Sequence, residues 1–355
     1  MNLSFSPFSR YTSNIIPIFH PMLRHNKTSG FWPVASALGG NLLVTILKFV
    51  GFSLSGSGAL FSEGIHSFAD TANQALLMVG IQRSSKKADE EFSYGYGHER
   101  FFWALISACG IFFLGAGVTI YKGVTDLTQN NTVHISPIIF AILFLSLIIE
   151  SITLIIAFRT IKIEGQSLAH SLRLGDPSSI AVLYEDGVAV LGILIALISI
   201  VLTYLTGLHY WDAAGSIFIG ILLAIVAVIL IAKNREYLME KSMPEEISER
   251  IIEILETEPA IEKVIDFKSS TLDFRKYRIK CEVEFQGQAL MKNMYRDGML
   301  KEEYEWIKDD YSEFVRFCAD YIDRVPRLIG SKIDKIEKKI QQEFPEVIHV
   351  DIEIN

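Results

Sequence analysis

Residues 62–81 have the sequence SEGIHSFADTANQALLMVGI, an apolar stretch that is interrupted by His66 and Asp70. A helix would place the imidazole and the carboxylate on one face, about 6 Å apart along its axis. A carboxylate in the middle of a membrane-spanning helix is costly to bury. Two groups of ligand type at this spacing therefore predict a membrane helix that holds a metal ion or a proton.

A polar stripe extends on both sides of this pair. Glu63 precedes His66 by one helical turn, and Asn73 follows Asp70 by one turn. Contact with bulk water cannot explain the stripe, because there is no bulk water at that depth of a membrane. The stripe either handles a metal ion or protons, or forms a hydrogen-bonded cluster that only holds helices together. Two ionisable groups four residues apart favour the first interpretation.

Similar apolar runs recur along the first two thirds of the chain. The chain is 50% hydrophobic with a mean hydropathy of +0.31, and each run is near the roughly 20 residues that cross the hydrocarbon of a bilayer. These runs predict a transmembrane domain of six helices at residues 31–235, after an N-terminal arm at 1–30. The predicted spans are 33–54, 58–82, 102–124, 135–159, 178–205 and 212–232.

Basic residues predict the orientation of these spans. The turns at 55–57 and 205–211 carry no Lys or Arg, whereas the connections that contain Lys and Arg lie on the other side, together with both termini. By the positive-inside rule, both termini face the cytoplasm. The arm at 1–30 is a short cytoplasmic arm or a weak organelle-targeting segment, because it has no acidic residue. The basic residues of the connections are Arg83, Lys86, Lys87, Arg100, Arg159, Lys162 and Arg173.

Composition argues against several other classes of protein. A formal net charge of −8 disfavours a nucleic-acid partner. The three cysteines lack CxxC spacing, which argues against a disulfide framework and a zinc ribbon. No nucleophile–base pair, phosphate loop or cofactor fingerprint is recognisable, so we expect neither an enzyme nor a bound cofactor.

The last part of the chain, residues 236–355, predicts a separate domain. Its order of helix, strand, strand, helix and strand is typical of a small α+β sandwich. An acidic, aromatic-rich segment at about 286–326 interrupts this unit and is predicted to be helical. The predicted elements are a helix after Pro244, strands at 264–274 and 277–285, a helix at about 328–343 and a strand at 347–354.

The fifth span carries two adjacent acidic residues, Glu185 and Asp186. Neighbouring side chains on a helix point about 100° apart, so one of them is expected to face the polar stripe of the second span. The other would be a proton relay or a partner of a buried cation.

Two further charges lie deep in predicted spans, Lys48 in the first and Glu150 in the fourth. An isolated charge is costly there, so we expect them to pair with each other or with Glu185. A structural pair and a gating pair are both consistent with the sequence. Together with Glu63 and Asn73, they are candidates for proton transfer or gating.

Three motifs resemble the cation diffusion facilitator family. GNLLVTILKFVGFSLSGSGALFSEGIHSFAD covers 40–70, YGYGHERFFWALIS covers 94–107, and WDAAGSIFIGILL covers 211–223. The acidic pair in the fifth span and the insertion in the soluble domain resemble the mitochondrial zinc-transporter branch of the family and its bacterial relatives. The resemblance implies a homodimeric exporter that exchanges a divalent metal for protons.

The resemblance also implies a tetrahedral transport site with two ligands from the second span and two from the fifth. His66, Asp70 and Asp186 match the family's ligand positions. The remaining position falls on Val182, which cannot coordinate a metal, so Glu185, a water molecule or the backbone would complete the shell. Such a site suits zinc, and also manganese, iron(II) and cobalt.

Two other metal sites of the family have weaker counterparts. The loop before the third span retains Asp89, but Phe92 and Tyr96 stand where histidines are expected, so we expect this site to be absent. The candidates for a cytoplasmic metal site near the last strand are His349, Asp351 and Glu282. An alternating surface strand would show the same residues by chance.

The sequence and the resemblance together predict a six-helix transmembrane domain followed by a cytoplasmic ferredoxin-like domain, assembled as a homodimer. The predicted function is a divalent metal/proton antiporter that exports zinc by alternating access. The alternatives are an exporter of manganese, iron or cobalt, and a non-transporting metal sensor or scaffold. The expected setting is lipid, in a bacterial inner membrane or an organelle membrane, with metal and protons as substrates.

Overall fold

A computed structural model of the chain describes residues 31–128, 136–161, 177–295 and 299–355. The predicted arm at 1–30 lies outside these residues, as do Lys162 and Arg173.

The first part of the chain is helical, and each helix overlaps one predicted span. Helix α3 contains a π-helical segment at Ile111–Ala116. The helices are α1 Phe31–Ser55, α2 Gly58–Ser84, α3 Glu99–Thr128, α4 Pro137–Ile161, α5 Pro177–Thr206 and α6 Tyr210–Leu238.

Several of these helices have the length and composition of membrane spans. Within the described residues, Asn41–Ser55 of α1 forms a shorter apolar helix. Helix α2 is continuous, but the polar stripe interrupts its apolar sequence. Large apolar side chains such as Phe113 and Leu205 are exposed on the outside of the bundle, as expected of a surface that faces lipid. In the described part of the chain, four helices are long and apolar enough to cross a membrane: Glu99–Thr128, Pro137–Arg159, Leu183–Thr206 and Tyr210–Leu238.

Helix α2 lies at the centre of the bundle. It packs against α1, α3, α5 and α6, so its polar stripe is buried between helices. The apolar core around it includes Leu60, Ile139, Leu143, Ile193, Ile219 and Leu223. The polar residues of α2 therefore face the other helices of the bundle.

The second part of the chain is a small mixed α/β unit. Strand β2 pairs antiparallel with β1 and parallel with β3, in the order β1-β2-β3. A parallel pair needs a long crossover, which the helices between β2 and β3 supply. The elements are α7 Glu245–Glu256, β1 Ile261–Asp273, β2 Lys276–Phe285, α8 Gly287–Met294, α9 Met299–Ile307, α10 Tyr311–Glu343 and β3 Val347–Ile354.

Helix α10 is longer than predicted. We expected it to begin near residue 328, after Pro326, but it starts at Tyr311 and runs through the proline. Asp310 caps its start by accepting hydrogen bonds from two backbone N–H groups. Apolar contacts on both sides of Pro326, including the packing of Ile329 against Leu290, offset the lost backbone hydrogen bond.

The helical bundle and the sheet meet at the α2–α3 loop, residues 85–98. Nε2 of His98 lies 2.9 Å from the carbonyl oxygen of Thr271 in β1. Arg100, at the start of α3, lies 3.5 Å from the carboxylate of Asp273. The loop therefore connects the helix that carries the polar stripe to the sheet.

Candidate metal site

The imidazole of His66 and the carboxylate of Asp70 face each other on α2, as their spacing predicts. Nε2 of His66 lies 3.5 Å from a carboxylate oxygen of Asp70, and the side chains are 3% and 16% exposed. Neither ring nitrogen of His66 has a hydrogen-bond partner among the described residues. Because buried polar atoms nearly always have a partner, an unpaired imidazole beside a carboxylate is suited to bind a metal ion or a proton.

Carboxylates from two other helices approach this pair. Asp186 of α5 lies within hydrogen-bonding reach of Thr153 in α4, and within electrostatic range of Glu150 and Asp70. Several carboxylates in one region of the bundle produce a negative potential that a divalent cation would neutralise.

Glu185 also belongs to this region, but it is held by a neighbour. Nδ2 of Asn73 in α2 lies 2.8 Å from each carboxylate oxygen of Glu185. The hydroxyl of Ser107 in α3 donates to Oδ1 of Asn73 at 2.7 Å. Glu185 is therefore the end of a hydrogen-bonded chain across three helices.

These groups do not form a closed ligand shell in this conformation. Among the described residues, no three His, Cys, Asp or Glu side chains are close enough to hold a metal ion. The backbone of Val182 belongs to α5, and its side chain lies outside the described part of the structure. The ligand set of His66, Asp70, Asp186 and Glu185 therefore remains a prediction.

The pairing of Lys48 differs from the expected one. Its ammonium donates to Glu63 at 3.0 Å and to Ser67 at 2.7 Å, rather than to Glu150 or Glu185. The sequence contains a signal for this pair: α1 and α2 form a hairpin around Gly56, and Lys48 and Glu63 lie almost equally far from that turn.

Asp212 is a buried acidic residue that the sequence analysis did not single out. It lies in the first turn of α6 and is 2% exposed. Its carboxylate accepts hydrogen bonds from the hydroxyl of Ser57 and the N–H of Gly58, each at 2.5 Å. The carboxylate thus caps the start of α2 from a different helix. The sequence contains a signal for this role, because Asp212 is an acidic residue at the start of an apolar span.

In the α2–α3 loop, protein donors occupy the carboxylate of Asp89. Lys86 donates to it at 2.8 Å and the hydroxyl of Tyr96 at 2.9 Å. The N–H of Phe92 donates to the other oxygen at 3.0 Å. The hydrogen bond from Lys86, with those from Phe92 and Tyr96, lowers the pKa of Asp89 to about 2. An ammonium group thus neutralises the loop carboxylate.

The predicted cytoplasmic metal site is not assembled. Both Nε and Nη2 of Arg278 donate to Asp351, at 3.0 and 2.9 Å. The ring of His349 packs against Tyr94 of the α2–α3 loop. Glu282 aligns with Glu353, two residues beyond Asp351. An arginine on the neighbouring strand thus forms an ion pair with one carboxylate oxygen of the aspartate. The cytoplasmic ligand set of His349, Asp351 and Glu282 remains a prediction.

Comparison with known proteins identifies the family of this chain. The profile of the cation efflux transmembrane domain matches residues 34–239. The chain belongs to the cation efflux family, that is, to the cation diffusion facilitators. Family membership and the apolar helices make it an integral membrane protein of a transporter family.

The curated relatives include members of the mitochondrial branch, which confirms the predicted relationship to that branch. The chain is 36% identical to Metal tolerance protein C4 of Arabidopsis thaliana over 334 residues, covering 90% of this chain and 72% of that protein. It is 35% identical to the mitochondrial proton-coupled zinc antiporter SLC30A9 of Homo sapiens over 323 residues, covering 88% of this chain. The matched region spans 56% of the human protein, a little over half of its length.

Proposed function

We propose that this chain is a divalent metal cation/proton antiporter that exports zinc from the cytoplasm. The observation that carries the proposal is the buried His66–Asp70 pair, whose imidazole nitrogens lack hydrogen-bond partners among the described residues. Asp186 and Glu150 lie within electrostatic range of this pair. An imidazole with carboxylates from three helices within electrostatic range favours the binding of a divalent ion.

The exchange follows from competition for the same atoms. Imidazole nitrogen and carboxylate oxygen bind a metal only when they are deprotonated, so metal that arrives from one side displaces protons. Protons that arrive from the other side displace the metal. Histidine ordinarily titrates near physiological pH, which suits His66 to this exchange. Movement of α5 relative to α2 would expose the site to one side at a time.

The architecture that we propose for this function follows the family. Helices α1 to α6 would each span the membrane, within residues 31–235, and two copies would form a homodimer. Residues 236–355 would form a ferredoxin-like domain on the cytoplasmic side, together with both termini, because the basic connections lie at that end. The membrane would be a bacterial inner membrane or an organelle membrane.

Zinc is the proposed substrate, with manganese, iron and cobalt as alternatives. The human relative bears the name of a proton-coupled zinc antiporter. A shell with one imidazole and several carboxylates would also accept the other three metals. The selectivity therefore has to be measured on a panel of ions.

A non-transporting metal sensor or scaffold is the second candidate. It is favoured by Val182 at a family ligand position and by the hydrogen bonds that hold Glu185 to Asn73. A sensor would bind metal at His66 and Asp70 without moving it across the membrane.

Reconstituted vesicles distinguish these functions. When a zinc gradient is applied to proteoliposomes that contain the purified chain, the pH of the lumen should change. The same measurement should be made with manganese, iron(II) and cobalt. Zinc binding without any coupled proton movement would favour the sensor. Absence of both binding and movement for every ion in the panel would refute the proposed function.

A further inference from the structure

The ion pair of Lys48 and Glu63 is completely buried and lies beside the candidate metal site. Both side chains are 0% exposed, and Nζ of Lys48 lies 3.0 Å from Oε2 of Glu63. The same ammonium donates to Ser67, the residue after His66. We propose that this pair is the gate that closes the transport site toward the end of the bundle where α1 turns into α2 at Ser57. The inference rests on the proposed antiport function.

The order of residues along α2 places the pair on one side of the site. From Ser57 onward, the polar residues are Glu63, His66, Asp70 and Asn73. Glu63 is thus about one helical turn closer to the Ser57 end than His66 is. An ion that leaves His66 toward that end passes the level of Glu63. In this structure the ammonium of Lys48 lies at that level.

Helix α5 completes the closure. A Cβ atom at position 192 would lie 2.3 Å from Oε1 of Glu63, so the carboxylate lies in the space that the missing side chain of Gly192 leaves. Gly192 follows Asp186 by six residues, about 9 Å along α5. The helix that supplies the predicted ligand Asp186 is therefore also one wall of the closed passage.

The charges of the pair fit a gate. A fixed ammonium group repels a divalent cation, so Lys48 opposes movement past Glu63 while it stays in place. Oε1 of Glu63 has no hydrogen-bond partner among the described residues. This oxygen is free to accept a proton or contact a passing cation once α5 moves away.

A purely structural ion pair makes a different prediction. Replacing both members of a buried pair by neutral groups of similar size is often neutral or stabilising for the fold. A structural pair would therefore tolerate the double substitution. A gate would not, because the passage would no longer be closed.

The test uses the full chain in proteoliposomes. Lys48→Met combined with Glu63→Gln should keep zinc affinity within about threefold of wild type in calorimetry. In zinc-free vesicles the same variant should dissipate an imposed pH gradient at least about tenfold faster than wild type, since a closed state is no longer favoured.

A second variant disturbs the pair without changing any charge. Gly192→Ala forces the carboxylate of Glu63 aside and should also produce the proton leak. Combining this substitution with Glu63→Asp shortens the acidic side chain by one methylene and should abolish the proton leak. Gly110→Ala is the matched control, because nothing lies within 4 Å of its added Cβ atom.

Two results would overturn the gate while leaving antiport intact. One is a double variant with wild-type exchange and no leak. The other is a loss of zinc affinity without a leak, which would make Glu63 part of the binding site. Wild-type vesicles without any zinc–proton exchange would instead refute the proposed function, and the gate with it.

Discussion

The side-chain amide of Asn73 lies 2.8 Å from each of the two carboxylate oxygens of Glu185. This contact joins α2 to α5 at the level of the candidate metal site. Each carboxylate oxygen that accepts a hydrogen bond has one lone-pair site fewer for a metal ion, so Glu185 is less available as a ligand than a carboxylate without a partner. Of the two roles open to Glu185, completing the metal shell or relaying protons, the contact favours the relay.

Glu185→Gln should therefore bind zinc nearly as tightly as wild type. Coupled exchange should slow by about tenfold or more, because a positioned proton-transfer group contributes at least that much to a rate. Calorimetry and vesicle exchange measure the two quantities separately. If the affinity falls as far as it does in Asp186→Ala, Glu185 is a ligand rather than a relay.

Asp70→Ala and Asp186→Ala should each abolish zinc-driven proton movement and lower zinc affinity by more than about tenfold, because each removes a predicted ligand. Size-exclusion chromatography and thermal unfolding should be unchanged in both variants. Asp266→Ala is the control, because this carboxylate lies on the sheet surface beside Lys268. Wild-type exchange in either site variant would show that the site lies elsewhere.

The helices could be predicted from the sequence because apolar length is a strong local signal. The span predicted at 178–205 corresponds to Pro177–Thr206, and the span at 58–82 corresponds to Gly58–Ser84. The strands were predicted for the same reason, since alternation is a property of neighbouring residues. The contact of His66 with Asp70 also follows from spacing within one helix.

Contacts between helices could not be predicted in the same way, because they depend on how each helix is rotated about its axis. The buried charge of Lys48 pointed to some partner, but not to Glu63. The hydrogen bond from Ser57 to Asp212 joins residues that are far apart in the chain. The ion pair of Arg278 with Asp351 depends on strand register, which the sequence alone does not fix.

Val182→His should restore the ligand position that the family uses in the fifth span. We expect zinc affinity to rise and selectivity to shift toward zinc over manganese, because an added imidazole favours zinc. Competition binding between the two metals in detergent checks this shift. Unchanged selectivity would indicate that residue 182 does not face the bound ion.

Gly97→Ala should loosen the contact between the α2–α3 loop and the sheet. The added Cβ atom would lie 2.1 Å from the carbonyl oxygen of Leu272, a backbone atom that cannot move aside easily. We expect a loss of about 1–3 kcal/mol in stability, the usual cost of overpacking. Thermal unfolding of the purified chain measures it.

Gly330→Ala is the matched control for this substitution. Gly330 is exposed within α10, and nothing lies within 4 Å of its added Cβ atom. Alanine there should raise stability by about 0.5–1 kcal/mol. Equal effects of the two substitutions would mean that Gly97 is not held against Leu272.

The insertion at 286–326 exposes aromatic side chains that a soluble surface rarely leaves uncovered. Trp306 is 88% exposed and Tyr311 81%. Between α9 and α10 lies an open pocket of about 1090 Å³, lined in part by Tyr304, Phe314 and Phe317. Exposed apolar surface of this kind usually marks a contact with another protein, and a second copy of the chain is the simplest candidate.

Removing the insertion should therefore weaken self-association of the full chain without changing the chemistry of transport. The same result is expected for the milder variant in which Trp306 and Tyr311 are both replaced by Ser, because it removes the largest exposed apolar groups and leaves the helices in place. Ile354→Ser, an exposed apolar residue at the end of β3, is the control. Mass photometry in nanodiscs measures the dimer fraction. A dimer that survives both the deletion and the double substitution would assign the aromatic surface to a different protein partner.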